Sequence, residues 1–142
     1  MASATLSNMG TDRNPPSGPL RDGAFVGFIP VTDLASGRDF YVDTLGMTTT
    51  EESPFAVVLQ HGPTVIRLTE VAELRPQPFT IAGWEVPDIG AVIDSLRSSD
   101  VTFRRYDGMD QDDRGIWTTP GGDQVAWFLD PDGNTLSLTE LA

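Results

Sequence analysis

The 142-residue chain contains no cysteine, no lysine and a single histidine, His61. Without cysteine there is neither a disulfide framework nor a thiolate metal site. One histidine excludes a multi-histidine zinc site within one chain. The lack of lysine excludes Schiff-base and amine-nucleophile chemistry. All nine basic residues are arginines, and they face 21 acidic residues, which leaves a net charge of −12. That balance argues against nucleic acid and anionic membranes as partners. It suits solubility, or the attraction of cationic ligands. No run approaches the ~18 apolar residues of a membrane span. The N-terminus lacks the charged and apolar regions of a signal peptide. A soluble cytoplasmic protein is therefore expected.

Residues 1–23 are rich in Ser, Thr, Asn, Gly and Pro without a period, which predicts a flexible tail. Residues 25–31 (FVGFIPV) form an apolar run of strand length, and Pro30 places it at an edge or rim. Thr32 or Asp33 can cap a helix over 34–45, and Gly46 is a fitting residue just past its end. Short strands follow at 47–51, 55–60 and 64–70, so residues 24–70 read as one β-α-β-β-β module. Two prolines in 71–78 mark a linker. The order then repeats over 79–142. A strand at 79–86 leads to Pro87 at the first helical position, Asp88 in the first turn and a helix over 89–99. A strand over 101–106 precedes a long Gly- and Asp-rich connection, 107–123, read as a lid or rim. The closing stretch, WFLDPDGNTLSL, is a hairpin. Its five-residue turn has Pro to preset φ, Gly to supply φ > 0, and Asp and Asn to bond their own backbone.

The internal repeat is the main organisational signal. Val31-Thr-Asp33-Leu34 recurs 55 positions on as Val86-Pro-Asp88-Ile89. This repeat, the Phe40-Tyr41 pair with Leu45-Gly46, and the DPDGN hairpin together resemble the vicinal oxygen chelate superfamily. That group includes glyoxalase I, bleomycin-resistance proteins and extradiol dioxygenases. The resemblance covers residues 24–141. It implies an α+β fold in which two βαβββ modules pair as curved mixed sheets around a cavity, with helices outside, and a homodimer. In metal-using relatives four strand positions carry ligands; here those positions are Val26, Arg67, Ile81 and Ser137. Val and Ile have no donor atom, Arg is a permanent cation and Ser is a poor lone ligand. The resemblance thus implies the fold but neither a metal nor any other cofactor.

Strand alternation lists the face that should line the cavity. Phe28 accompanies Val26, Glu85 accompanies Ile81, and Ser137 should lie across the hairpin from Trp127. Trp84, Phe128 and Leu136 then face the helices. Arg67 could bind a carboxylate or enolate-like oxygen where a metal would have sat, or pair with Glu85. Glu85 could serve as a general base or bind a cation. Trp117 and Trp127 could stack on a flat or cationic ligand. His61, at a turn, is expected on the surface. Asp107, Asp110, Asp112 and Asp113 form a solvated loop or an acidic rim. The favoured function is a metal-independent protein of the bleomycin-resistance type. It would hold an aromatic or cationic small molecule with Phe28, Arg67, Glu85, Trp117, Trp127 and Ser137. The alternative is a metal-free isomerase, cyclase or lyase, with Arg67 holding an oxyanion or carboxylate and Glu85 or a rim Asp moving a proton. Whether there is turnover stays open at this level.

Overall fold

The computed structural model describes residues 15–142. Most of the expected tail lies outside the described residues, and residues 15–25 are exposed turns and irregular chain. The first module runs β1 (Val26–Val31), α1 (Leu34–Arg38), β2 (Thr48–Glu52), β3 (Ala56–His61) and β4 (Thr64–Glu70). The second runs β5 (Thr80–Glu85), α2 (Ile89–Arg97), β6 (Trp117–Thr118), β7 (Gln124–Leu129) and β8 (Thr135–Glu140). The sheets have strand orders β1-β4-β3-β2 and β5-β8-β7-β6. In both, the first strand lies at the edge and runs parallel to the last. This is the expected α+β arrangement of paired modules, and Pro30 sits on an edge strand, where a missing N–H costs nothing.

The repeated tetrapeptide is a helix start used twice. Asp33 accepts from the Ala35 N–H (3.0 Å) and Asp88 from the Ala91 N–H (3.1 Å), each from an extended backbone. Asp88 is therefore the cap itself, and Pro87 stands before it rather than inside the helix. After Arg38 the first helix widens into a π-helical segment, Asp39–Thr44, closed by Gly46 at φ 85°.

One further element differs from expectation. Residues 101–106 do not form a strand. Phe103 bridges to Phe128, the Arg104 N–H donates to the Trp127 carbonyl (2.7 Å), and Trp117 and Thr118 then pair with Val125 and Gln124. The fourth strand of this sheet is thus interrupted, and the intervening residues bulge out of it as an insertion. That insertion is braced by hydrogen bonds of its own. The Gln111 amide donates to the carbonyls of Arg104 (3.0 Å) and Gly115 (2.8 Å) and accepts from the Tyr106 N–H (2.7 Å). Asp112 Oδ1 accepts from the backbones of Arg114 and Ile116, and Ile116 is buried.

One hydrophobic core joins the modules through their helix-covered faces. Ile29, Leu59 and Leu68 of the first sheet, and Phe128, Leu136 and Leu138 of the second, are all buried in it. Phe40 meets Phe128 (ring centroids 6.5 Å), and Trp84 stacks on Phe128 at 6.3 Å. The helices lie on the faces opposite Arg67 and Ser137, as expected. Polar staples cross the same junction. The buried Tyr41 hydroxyl donates to Asp130 (2.7 Å), the Asn134 amide donates to the Pro30 carbonyl (3.0 Å), and the Thr32 N–H donates to Asp132.

Burial first, and then the Asp130 charge and hydrogen bond and the Asp132 charge, push the Tyr41 phenol far above the ordinary tyrosine range. The folded group stays protonated while an unfolded phenol ionises near pH ~10. Its contribution to stability is therefore full below that value and falls above it, by about 1.4 kcal/mol per pH unit. Urea midpoints measured from pH 9 to 11 should drop steeply for the native chain. They should drop less for Tyr41→Phe, and equal slopes would refute the assignment.

Candidate functional site

The residues expected to line a site fall into two groups. On the first sheet Phe28 pairs with Arg67, which is flanked on its other side by Val58. Phe28 is 66% exposed, and among the described residues the Arg67 side chain makes no hydrogen bond or ion pair. On the second sheet Gly83, Ser137 and Trp127 form one row across three strands. Ser137 thus stands opposite Trp127. A Cβ at position 83 would collide with the Ser137 hydroxyl where it now stands, so any larger residue there would turn that hydroxyl aside.

Trp127 is the middle of an aromatic corner. Tyr106 meets it edge-on, with centroids 5.5 Å apart and planes at 87°. Trp117 lies 6.4 Å away, tilted by 30°. Tyr106 and Trp117 stand at the two ends of the insertion in the interrupted strand, so the insertion delivers both rings to Trp127. All three are half-buried. Tyr106 escaped the sequence reading. The available signal was its position at the entrance to the insertion, mirroring Trp117 at the exit.

Glu85 is exposed at the end of the edge strand β5, and its side chain has no hydrogen bond among the described residues. No ion pair joins it to Arg67; the described pairs are Arg38 with Asp39 and Glu52, and Arg114 with Asp94. His61 is exposed, as expected. Asp107, Asp110 and Asp113 are exposed too, whereas Asp112 shapes its own turn.

A metal does not fit these residues. Val26 and Arg67 lie on β1 and β4, Ile81 sits at a bulge in β5, and Ser137 is on β8. Together they supply one hydroxyl and a cation in place of imidazoles and carboxylates. Among the described residues no three His, Asp or Glu side chains are grouped to hold an ion. No described helix is long and apolar enough to cross a membrane.

No characterised protein matches the sequence. Solved structures do match the fold. A lactoylglutathione lyase from Agrobacterium tumefaciens superimposes with a TM-score of 0.66 at 15% identity, covering 89% of this chain and 95% of that one. A superfamily member from Sphaerobacter thermophilus gives 0.64 at 24% identity, with coverages of 82% and 95%. An antibiotic-binding protein from a Streptomyces species gives 0.64 at 22% identity, with coverages of 84% and 95%. The family model "Glyoxalase/Bleomycin resistance protein/Dioxygenase superfamily" matches residues 24–138, which hold both modules and the hairpin between β7 and β8. The chain therefore belongs to the glyoxalase/bleomycin resistance protein/dioxygenase superfamily.

Proposed function

We propose that this chain is a metal-independent binding protein that holds an aromatic or cationic small molecule against Trp127. Trp117, Ser137 and Glu85 lie on the same module, and Phe28 and Arg67 on the other. The observation that carries the reading is the aromatic corner of Tyr106, Trp117 and Trp127 on a sheet face with no metal donor set. Half-buried indoles offer large flat contact area and attract cations over their faces. A net charge of −12 favours encounter with a cation. The likeness to an antibiotic-binding protein fits sequestration without turnover.

A homodimer belongs to this reading. Phe25, Phe28, Phe79 and Ile81 sit on or beside the edge strands β1 and β5, and Phe25 is 83% exposed. Open strand edges flanked by apolar side chains are pairing surfaces. In a two-fold dimer the Phe28–Arg67 face of one copy would close over the Trp127 face of its partner. Sedimentation equilibrium should find a dimer, and Phe28→Asp should yield a folded monomer. Binding of proflavine, a planar aromatic cation, should weaken at least tenfold in that variant. A native chain that is monomeric where it binds proflavine would refute the paired site.

The experiment for the function itself is incubation with proflavine and related planar cations, followed by chromatography. The ligand should raise the melting temperature by mass action and be recovered unchanged. An Arg67 side chain with no partner among the described residues favours a second reading, a metal-free isomerase, cyclase or lyase. There Arg67 would hold a carboxylate or oxyanion, and Glu85 or an Asp of the insertion would move the proton. Recovery of an altered molecule, with turnover abolished by Arg67→Ala and Glu85→Gln, would select it.

A further inference from the structure

The antiparallel contact that opens the interrupted strand puts a cation beside Trp127. Phe103 bridges to Phe128 and turns inward, buried against that ring with centroids 5.3 Å apart. The Arg104 N–H donates to the Trp127 carbonyl (2.7 Å), which carries the pairing one residue on. Arg104 therefore stands opposite Trp127, across β7 from Ser137, and alternation directs its side chain to the open face. Its backbone is held on both sides of the residue, because its carbonyl accepts from the Gln111 amide (3.0 Å).

The Arg104 side chain makes no hydrogen bond or ion pair among the described residues, although the chain carries 21 acidic residues to nine arginines. Its neighbour Arg105 is committed, donating to the carbonyls of Asp112 (2.9 Å) and Gln111 (3.0 Å). Asp100 and Asp130 border Arg104 on one side, but neither pairs with it. On the other side an open groove of about 320 Å³ runs from Arg104 and Tyr106 to Leu129, Thr135 and the linker prolines Pro76 and Pro78. No carboxylate lines it, and the Thr135 hydroxyl has no hydrogen bond among the described residues. Leu129 pairs with Thr135 two residues along from the Trp127–Ser137 pair, so the groove continues the same face. Tyr106 belongs to both, closing the aromatic corner and lining the groove.

We propose that Arg104 is a specificity-determining residue of the Trp127 site, and that the ligand held there is a planar aromatic molecule carrying a carboxylate. The ring lies on Trp127, and the carboxylate takes the Arg104 guanidinium at the mouth of the groove. An arginine without a partner, beside an aromatic face and an acid-free groove, offers a carboxylate charge-assisted bonds that a neutral group cannot match. The net charge of −12 opposes anions at long range, so this contact selects among molecules that have reached the face rather than drawing them in. A zwitterion with a basic ring nitrogen meets both conditions. This ligand class presupposes the binding reading of the Trp127 face.

The probes are acridinylglycine, an aminoacridine with a carboxymethyl arm, and its primary amide, titrated by fluorescence into the full chain. The carboxylate should bind about fivefold tighter than the amide, the scale of one charge-assisted contact partly open to water. Arg104→Gln should abolish that preference, and Arg104→Lys, which keeps the charge but not the fork, should retain part of it. Arg104 is exposed, so both variants should melt with the native chain. Should they fail to fold, the comparison of the two probes on the native chain still decides. Trp127→Ala should weaken both probes together. Equal binding of the two by the native chain, with both weakened in Trp127→Ala, would overturn the role of Arg104 and leave the Trp127 site standing. A preference that survives Arg104→Gln and disappears in Arg67→Gln would do the same. Failure of both probes to bind would overturn the Trp127 reading and the carboxylate with it.

Discussion

Replacing Asp130 by alanine should destabilise the protein by about 3–5 kcal/mol, more than the loss of any exposed ion pair. Asp130 is 5% exposed, and its carboxylate accepts four hydrogen bonds. One oxygen takes the Tyr41 hydroxyl (2.7 Å) and the Asn134 side-chain amide (2.9 Å). The other takes the backbone N–H groups of Asp132 (3.0 Å) and Asn134 (2.9 Å). Alanine would leave the buried Tyr41 phenol without an acceptor, take from the Asn134 amide one of its two acceptors, and loosen the turn that holds Asn134 against the Pro30 carbonyl. The damage therefore spreads from the β7–β8 hairpin to the first module. Tyr41→Phe removes one donor and leaves three bonds, so about 1–2 kcal/mol is expected. The double variant should cost clearly less than the sum of the singles, since both changes break one shared contact. Urea denaturation of the four proteins measures all of this. An Asp130→Ala chain within 1 kcal/mol of native would show that the junction does not rest on this network.

That network also shows why the sequence was informative about fold. The Phe40-Tyr41 pair and the DPDGN turn are 89 residues apart, and no local rule connects them. In the folded chain Tyr41 donates to the Asp of that turn, so the two motifs are halves of one contact. The repeated Val-X-Asp tetrapeptide is similarly physical, because each Asp caps its helix. The interrupted strand was not legible. Periodicity reports continuous elements, and a strand split by an insertion gives two pieces, each too short to show alternation. The site was half legible for the same reason. Alternation correctly put Ser137 opposite Trp127, because hairpin register follows from turn length. It could not show that Arg67 and Trp127 lie on separate open faces of one chain, since module pairing is set by which faces the core consumes. Nor could it find Tyr106, which reaches Trp127 only through the geometry of the insertion.

Trp127→Ala should weaken proflavine binding by about 30- to 1,000-fold, the range for truncating a central aromatic anchor. The indole has Tyr106 perpendicular to it and Trp117 beside it, so its ring is held in place before a ligand arrives. Preorganised aromatic area binds without the cost of ordering a mobile side chain. Alanine removes that surface and frees both neighbours to turn, so the loss exceeds the area of one ring. Trp127→Phe keeps a flat face in the same row as Ser137 and Gly83 and should lose less than tenfold. Trp117→Ala should fall between the two, because Trp127 and Tyr106 still form a corner without it. The fold should survive all three changes. Trp127 is half-buried on the face away from the core, while its neighbours Ala126 and Phe128 point inward and are fully buried. Melting curves taken alongside the titrations separate lost binding from lost structure. If Trp127→Ala binds proflavine within threefold of the native chain, the aromatic corner is packing and the ligand site lies elsewhere.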